Sequence, residues 1–272
     1  MKTPLAGVIG CPVGHSRSPV LHGTWLRHHG IAGHYVPLHV EAGDLAEVLR
    51  AMPRMGFVGA NVTIPHKEAV LALADDVSET ALRIGAANTL TFGPDGRLHA
   101  DNTDAYGFIA NLRQNAPGWD ATSGPALVLG AGGAARAVIV ALQDAGVPEI
   151  VLTNRTAARA DALAAEFGVT ALPWDDRGRA LANTACVVNT TSLGMQGQPK
   201  MDLDLGALPA SALVTDIVYS PLETPLLAAA RARGCTVVDG LGMLLHQAVP
   251  GFARWFGTRP EVTDALRAAV LA

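Results

Sequence analysis

The sequence predicts an α/β protein of two domains, each built on a mainly parallel sheet. Three observations lead there. Strand-like and helix-like segments alternate along nearly the whole chain, the pattern of strands joined by helical crossovers. A stretch rich in Gly, Pro and Ser, Pro117 to Pro125, follows the amphipathic segment Thr103 to Asn115 and marks a boundary. Beyond it, a short apolar strand, a glycine turn, a helix and a second strand follow one another within about thirty residues.

In order, Leu5 to Gly10 reads as a first strand, and Ser18-Pro19 opens a helix to about Gly30, with Pro in its first turn. His34 to His39 is a second strand, Leu45 to Ala51 a helix, and Ala60 to Ile64 a third strand closed by Pro65. Glu68 to Ala74 begins another helix. Asn88 to Phe92 and Leu98 to Asn102 form a hairpin about Gly93-Pro94-Asp95-Gly96, with Asp-Gly in the turn. After the linker, Ala126 to Leu129 is a strand, Gly130 to Gly133 the turn, Ala134 to Ala145 a helix and Glu149 to Thr153 a strand. Val169 to Leu172, Ala185 to Asn189, Leu213 to Asp216 and Thr236 to Val238 supply further strands, and the tail, Met243 to Phe256 and Val262 to Leu271, is helical.

Bulk properties exclude several classes. At 272 residues the chain can bury substantial cores, and 49% apolar with 16% charged residues is ordinary for a globular protein. A net charge of −4 without a basic block speaks against nucleic acid and membrane surfaces. No purely aliphatic run is longer than that of Ala137 to Leu142, which cannot span a bilayer, and Met1 to Pro12 lacks the apolar stretch of a signal peptide. A cytoplasmic protein is therefore expected. Cys11, Cys186 and Cys235 lie far apart with no CxxC pair, which fits buried thiols in a reducing compartment. No HExxH occurs, and the adjacent His28 and His29 would not share a helix face, so these spacings predict no metal site.

The run Gly130-Ala131-Gly132-Gly133-Ala134-Ala135 satisfies G-x-G-x-x-A and sits between a strand and a helix, the context that a dinucleotide fingerprint requires. The second domain is thus expected to be of Rossmann type. Gly130 permits the tight turn, Gly132 lets backbone N–H groups approach a pyrophosphate at the positive end of the helix, and Ala135 keeps that helix close to the sheet. The end of the second strand chooses the cofactor. An NAD site wants an acid there for the ribose 2′-hydroxyl, but this chain has Asn154-Arg155-Thr156 and then Arg159, with no acid until Asp161. Guanidinium groups and a hydroxyl hold a 2′-phosphate by charge-assisted hydrogen bonds, so NADP is expected rather than NAD. The competing explanations are a glycine turn that merely packs and arginines on a solvated helix face.

Polar clusters also gather at strand ends in the first hundred residues: Gly14-His15-Ser16-Arg17-Ser18-Pro19, Asn61-Val62-Thr63-Ile64-Pro65-His66-Lys67, Asn88-Thr89 and Asp101-Asn102-Thr103-Asp104. Singly, each can be a cap or turn device: Ser18 an N-cap, Asp104 a first-turn acid. Together they suit a small ligand bearing several hydroxyls. Lys67 stands out because the only other lysines are Lys2 and Lys200, arginine supplying the remaining basic residues. An ammonium can exchange a proton where a guanidinium cannot, so a lysine within such a cluster suggests acid–base work.

These motifs, in order from Gly10 to Gln247, resemble those of the shikimate dehydrogenase family. To the clusters above the resemblance adds Pro12-Val13-x-His15-Ser16, Gly85-Ala86-Ala87-Asn88-Thr89, Asn189-Thr190-Thr191-Ser192, Asp216-x-x-Tyr219-x-Pro221 and Gly240-Leu241-Gly242-Met243-Leu244 through Gln247. It implies NADPH-dependent, reversible reduction of 3-dehydroshikimate to shikimate. Lys67 and Asp104 would be the catalytic pair, with Ser16, Ser18, Thr63, Asn88, Tyr219 and Gln247 holding the substrate. The cofactor would lie on Gly130, Ala131, Gly132, Gly133, Ala134, Asn154, Arg155, Thr156 and Arg159. Ile217 and Gly240 would border the nicotinamide, and Glu79 would reach the cofactor. The implied domains are residues 1–104 with 240–272 for substrate and 105–239 for NADP, with a cleft between them. Two departures are visible: Gly23 stands where the family often has Asn, and Ile217 where it often has Met. A quinate/shikimate dehydrogenase of broader specificity and a non-catalytic NADP-binding sensor remain as alternatives. The assembly is not legible in the sequence, and a homodimer stays open.

Overall fold

The computed structural model describes residues 3–272. Met1 and Lys2, at the start of the first expected domain, lie outside the described residues. The chain forms two compact units, one running to Gly107 and resuming over Leu244–Ala272, the other Phe108–Met243.

The first unit holds β1 (Leu5–Gly10), α1 (Ser18–His28), β2 (His34–His39), α2 (Leu45–Ala51), β3 (Phe57–Val62), β4 (Asp76–Val77), α3 (Glu79–Ile84), β5 (Thr89–Phe92), β6 (Leu98–Asp101) and the start of α4 (Asp104–Asn115). The second holds the rest of α4, then β7 (Ala126–Leu129), α5 (Gly133–Ala145), β8 (Ile150–Asn154), α6 (Ala157–Phe167), β9 (Thr170–Pro173), α7 (Arg177–Ala180), β10 (Cys186–Asn189), β11 (Leu213–Asp216), α8 (Pro225–Ala232) and β12 (Thr236–Val238). Next, α9 (Leu241–Phe256) leads back to the first unit, where α10 (Asp264–Leu271) ends the chain.

The first sheet has the order β2-β1-β3-β5-β6-β4. Only β5 opposes its neighbours; β2, β1 and β3 run parallel, as do β6 and β4. Its core gathers Ile9, Leu49, Phe57, Val62, Leu90 and Leu98. Gly59 is demanded by α9: a Cβ there would lie 1.9 Å from the indole nitrogen of Trp255, which donates to Leu90 O at 2.9 Å. The Asp-Gly turn forms as expected, with Gly96 at φ +83°.

The second sheet is wholly parallel, in the order β12-β11-β10-β7-β8-β9. Counted from β7, this is the doubly wound order 3-2-1-4-5-6, and its reversal lies between β7 and β10. All four residues of β7 are buried, as are Val138, Ile139 and Leu142 of α5. That double-sided burial explains why β7 reads as a continuous apolar run rather than an alternating one.

Several boundaries differ from expectation. β3 begins at Phe57 and ends at Val62, set by its pairing of Phe57 with Leu5 and Val62 with Ile9. The helix expected over Glu68 to Ala74 is a short 3-10 segment, Ala69–Leu73. The sequence does not anticipate β4 and α3, since two- and six-residue elements carry too little periodicity to read. Ser18 is not an N-cap: Arg17 holds that position and Ser18 is the first helical residue, buried. Cys186 and Cys235 are buried, but Cys11 is only half-buried. Among the described residues no helix is long and apolar enough to cross a membrane.

Candidate active site

In the first unit, Lys67 lies in the turn after β3, and its carbonyl accepts from Ala87 N at 2.8 Å. This places it beside Asn88, just before β5, and Asp104, at the start of α4. Lys67 Nζ stands 2.6 Å from Asp104 Oδ2, with side-chain exposures of 21% and 10%. An ion pair this well shielded is stronger than a surface pair and holds both groups in one geometry.

The second carboxylate oxygen, Oδ1, accepts from Asn88 Nδ2 at 2.7 Å. The orientation of that amide follows from its other end. Asn88 Oδ1 accepts from the backbone N–H of Thr103 at 2.8 Å, and also from the hydroxyls of Thr89 and Thr103 at 2.9 and 3.1 Å. A backbone N–H can only donate, so the oxygen must face Thr103 and the NH2 must face Asp104. The same NH2 donates to Gln247 Oε1 at 3.2 Å, while Gln247 Nε2 donates to Leu244 O at 3.0 Å. Asp104 is further fixed by its N–H, which donates to Asn102 Oδ1 at 2.9 Å.

Behind this cluster, Asn61 Nδ2 donates to Asn88 O and Thr89 Oγ1, and Tyr35 donates its phenol to Asn61 Oδ1 at 2.7 Å. Tyr35 is buried, and burial pushes its pKa well up against a smaller opposing hydrogen bond from Ser18. Four of the expected residues are thus directly connected: Lys67, Asp104, Asn88 and Gln247. Ser18 approaches the back of the network through Tyr35, and Ser16 Oγ accepts from Ser18 N at 3.3 Å. Thr63 is half-buried and packs on Gly10, where a Cβ would lie 2.5 Å from its methyl group. Glu79 is exposed in the first turn of α3. Asn61, Thr89 and Thr103 belong to the sequence clusters but have no role there; only their contacts with Asn88 supply one.

The second unit carries the glycine turn at the topological switch point. Gly130 adopts φ +108°, and a Cβ would meet Thr190 Oγ1 at 2.7 Å. The Thr190 hydroxyl donates to Leu129 O at 2.8 Å and so ties the ends of β7 and β10 together. Gly132 caps α5 without a side-chain bond, and added Cβ atoms at Gly132 and Gly133 would meet nothing within 4 Å. Open space therefore faces the uncapped N–H groups of a thirteen-residue helix, a fit for a pyrophosphate. Ala131 and Ala134 flank these glycines, and Ala131 N donates to Asn154 Oδ1 at 3.3 Å. Asn154 thus braces the turn itself.

Beyond β8, Arg155, Thr156 and Arg159 are all exposed. Thr156 caps α6 with no side-chain hydrogen bond, and neither arginine makes an ion pair among the described residues. Two free guanidinium groups and a free hydroxyl fit a phosphate monoester. Ile217 and Gly240 meet: a Cβ on Gly240 would lie 2.3 Å from the Ile217 carbonyl group. The loop bearing Ile217 and Tyr219 is shaped by Asp216, whose carboxylate accepts from Asn189, Val218 N and Thr224. Burial raises the Asp216 pKa despite these three donors.

Three family models match the chain: the shikimate dehydrogenase substrate binding domain over residues 8–90, shikimate / quinate 5-dehydrogenase over 113–196, and the shikimate 5'-dehydrogenase C-terminal domain over 240–271. The shikimate dehydrogenase (NADP(+)) of Paracoccus denitrificans (strain Pd 1222) is 65% identical over 271 residues, covering 99% of this chain and 96% of the relative. The chain belongs to the shikimate dehydrogenase family. Two solved family structures cover 99% of both chains. The quinate dehydrogenase of Corynebacterium glutamicum in complex with NAD has a TM-score of 0.92 at 34% identity. Shikimate 5-dehydrogenase of Thermus thermophilus in complex with NADP(H) and shikimate has 0.88 at 40%. These two structures hold NAD and NADP(H), respectively, on the same fold.

Proposed function

We propose that this member of the family is an NADP-dependent shikimate dehydrogenase, reversibly reducing the keto group of 3-dehydroshikimate to the hydroxyl of shikimate. The observation that carries the reading is Lys67, held at 2.6 Å from Asp104 within a buried amide network. A bound nicotinamide supplies the hydride in one direction and accepts it in the other. Lys67 donates a proton to the carbonyl oxygen as negative charge develops there, and removes it in the reverse reaction. Asp104, as the anion, orients Lys67 and accepts from a neighbouring substrate hydroxyl. Asn88, Gln247, Ser16, Ser18, Thr63 and Tyr219 hold the carboxylate and ring hydroxyls of the substrate. Such a site rejects analogues that lack a hydroxyl, because its buried polar groups would be left unpaired.

The glycine turn holds the pyrophosphate, and Arg155, Thr156 and Arg159 hold the 2′-phosphate. Glu79, Ile217 and Gly240 are proposed to border the cofactor. The second reading, a quinate/shikimate dehydrogenase that uses NAD, is favoured by the fold match to the NAD-bound quinate dehydrogenase. Arg155 and Arg159, without ion-pair partners among the described residues, favour NADP instead. A cytoplasmic setting accords with three free cysteines.

A spectrophotometric assay with shikimate and quinate, each with NADP and NAD, tests the proposal. Reduction fastest with shikimate plus NADP is expected. A folded sample inactive with that pair would overturn it.

A further inference from the structure

Outside the site described above, strand pairing brings Cys11 to the locally adjacent His39 and Glu41 in one cluster of metal-ligating side chains. β1 and β2 run parallel with Gly10 opposite His39 in register. Cys11 therefore leaves the end of β1 beside His39, and Glu41, two residues further on, projects its side chain to the same side. Cys11 Sγ lies 3.6 Å from His39 Nε2 and 3.5 Å from Glu41 Oε2, and His39 Nε2 lies 3.1 Å from Glu41 Oε1.

We infer that Cys11, His39 and Glu41 form a binding site for a thiophilic divalent cation of the Zn2+ type. The donor set is one soft thiolate, one imidazole and one carboxylate, a combination that selects such ions over Mg2+ or Ca2+. The spacing agrees as well. Zinc bonds of about 2.3 Å to sulfur and about 2.0–2.1 Å to nitrogen and oxygen, at tetrahedral angles, separate the donor atoms by roughly 3.3–3.6 Å. Here Cys11 Sγ and His39 Nε2 lie 3.6 Å apart, each within 3.5 Å of a different Glu41 carboxylate oxygen, and one donor atom from each residue lies within 4.8 Å of the others, so a rotation of the carboxylate would bring one oxygen to a third corner of that tetrahedron. The fourth corner is left for water.

Charge points the same way. Glu41 pairs with no lysine or arginine among the described residues. Binding would form the metal–sulfur bond and release the thiol proton to solvent. His39 and Glu41 are more than half exposed, so an ion can enter without unfolding the edge of the sheet. Cys11 also begins the segment leading to Ser16 and Ser18, so occupancy would tie the root of that segment to β2. Sequence spacing predicted no metal site because residues 11, 39 and 41 share no local motif.

The test uses untagged, reduced, chelator-stripped full-length protein titrated with Co2+ and then Zn2+. One equivalent of Co2+ should give thiolate-to-cobalt charge-transfer absorption, displaced by Zn2+ and absent in Cys11→Ser. His39→Ala and Glu41→Gln should each weaken binding by about tenfold or more. Absorption that survives in Cys11→Ser, where only buried Cys186 and Cys235 remain, would overturn the inference. So would a wild-type protein showing no such absorption. Should Cys11→Ser fail to fold, alkylation of wild-type Cys11 decides. Zn2+ should slow it about tenfold, and an unchanged rate would rule the site out.

Discussion

The two candidate binding regions differ in how their polar groups are satisfied. In the first unit, Lys67, Asp104, Asn88 and Gln247 already bond one another, backed by Thr89, Thr103 and Asn61. In the second, Arg155, Thr156 and Arg159 are exposed without side-chain partners among the described residues, and Gly132 and Gly133 face open space. The difference accords with the proposed ligands. A proton donor must stand in one place before the reaction, which requires a saturated network. A phosphate brings its own charge and can recruit flexible guanidinium groups on arrival.

Predictions can break this contrast, and the largest effect is expected at Lys67. General acid–base help is worth roughly 10²–10⁴-fold in rate, so Lys67→Ala should lower turnover by at least that order while NADP affinity stays nearly unchanged. An unaffected kcat would show that Lys67 does not move the proton. Next comes Arg155→Ala. Losing a charge-assisted hydrogen bond costs about 1.5–3 kcal/mol, so kcat/KM with NADP should fall about ten- to hundredfold while the NAD rate holds. Because Arg155 has no side-chain partner among the described residues, the variant's stability to urea should change by less than about 0.5 kcal/mol. A clear loss of stability there would remove the contrast between the regions.

Arg254 sharpens the comparison from the opposite side. It pairs with Asp101 Oδ2 at 2.5 Å, and Ser78 donates to Oδ1. Burial alone would raise the Asp101 pKa, but these partners outweigh it and hold the carboxyl below its ordinary value of 3.8. Arg254→Ala should therefore cost about 2 kcal/mol of stability near neutral pH. A depressed carboxyl stabilises the fold above its unfolded pKa, so this deficit should shrink as pH falls through the lower folded value.

An effect seen only on acidification belongs to His22, whose ring stacks on that of Tyr35 with centroids 3.9 Å apart. Burial lowers its pKa from 6.5 to about 3, against a weaker opposing contribution from Asn61. Between those values the unfolded chain binds the proton and the folded chain does not, so stability falls with pH. At about 1.4 kcal/mol per pH unit, His22 accounts for roughly 2 kcal/mol of the loss from pH 6.5 to 5. His22→Phe should flatten that acid limb in urea titrations, and an unchanged slope would place the titrating group elsewhere.

Much of the second region was legible in the chain. Gly130 to Ala135 between an apolar strand and a helix, then Arg155 and Arg159 without an acid, are local patterns. Backbone conformation and charge at consecutive positions generate them. The first region was legible only as residue types. Asp104 read equally well as a first-turn acid, and it is one while also pairing with Lys67. Nothing local showed that Thr103 orients Asn88 or that Arg254 reaches Asp101, because those partners are 15 and 153 residues apart.

By itself, then, the sequence determined the alternating α/β architecture, the glycine turn and the basic strand end, since each rests on periodicity or conformation over a few neighbouring residues. The tertiary structure alone decided which oxygen of Asp104 faces Lys67 and which way the Asn88 amide points. It also decided that Cys11, His39 and Glu41 meet. Those outcomes depend on strand register and on hydrogen bonds between distant segments, which exist only once the sheet has formed.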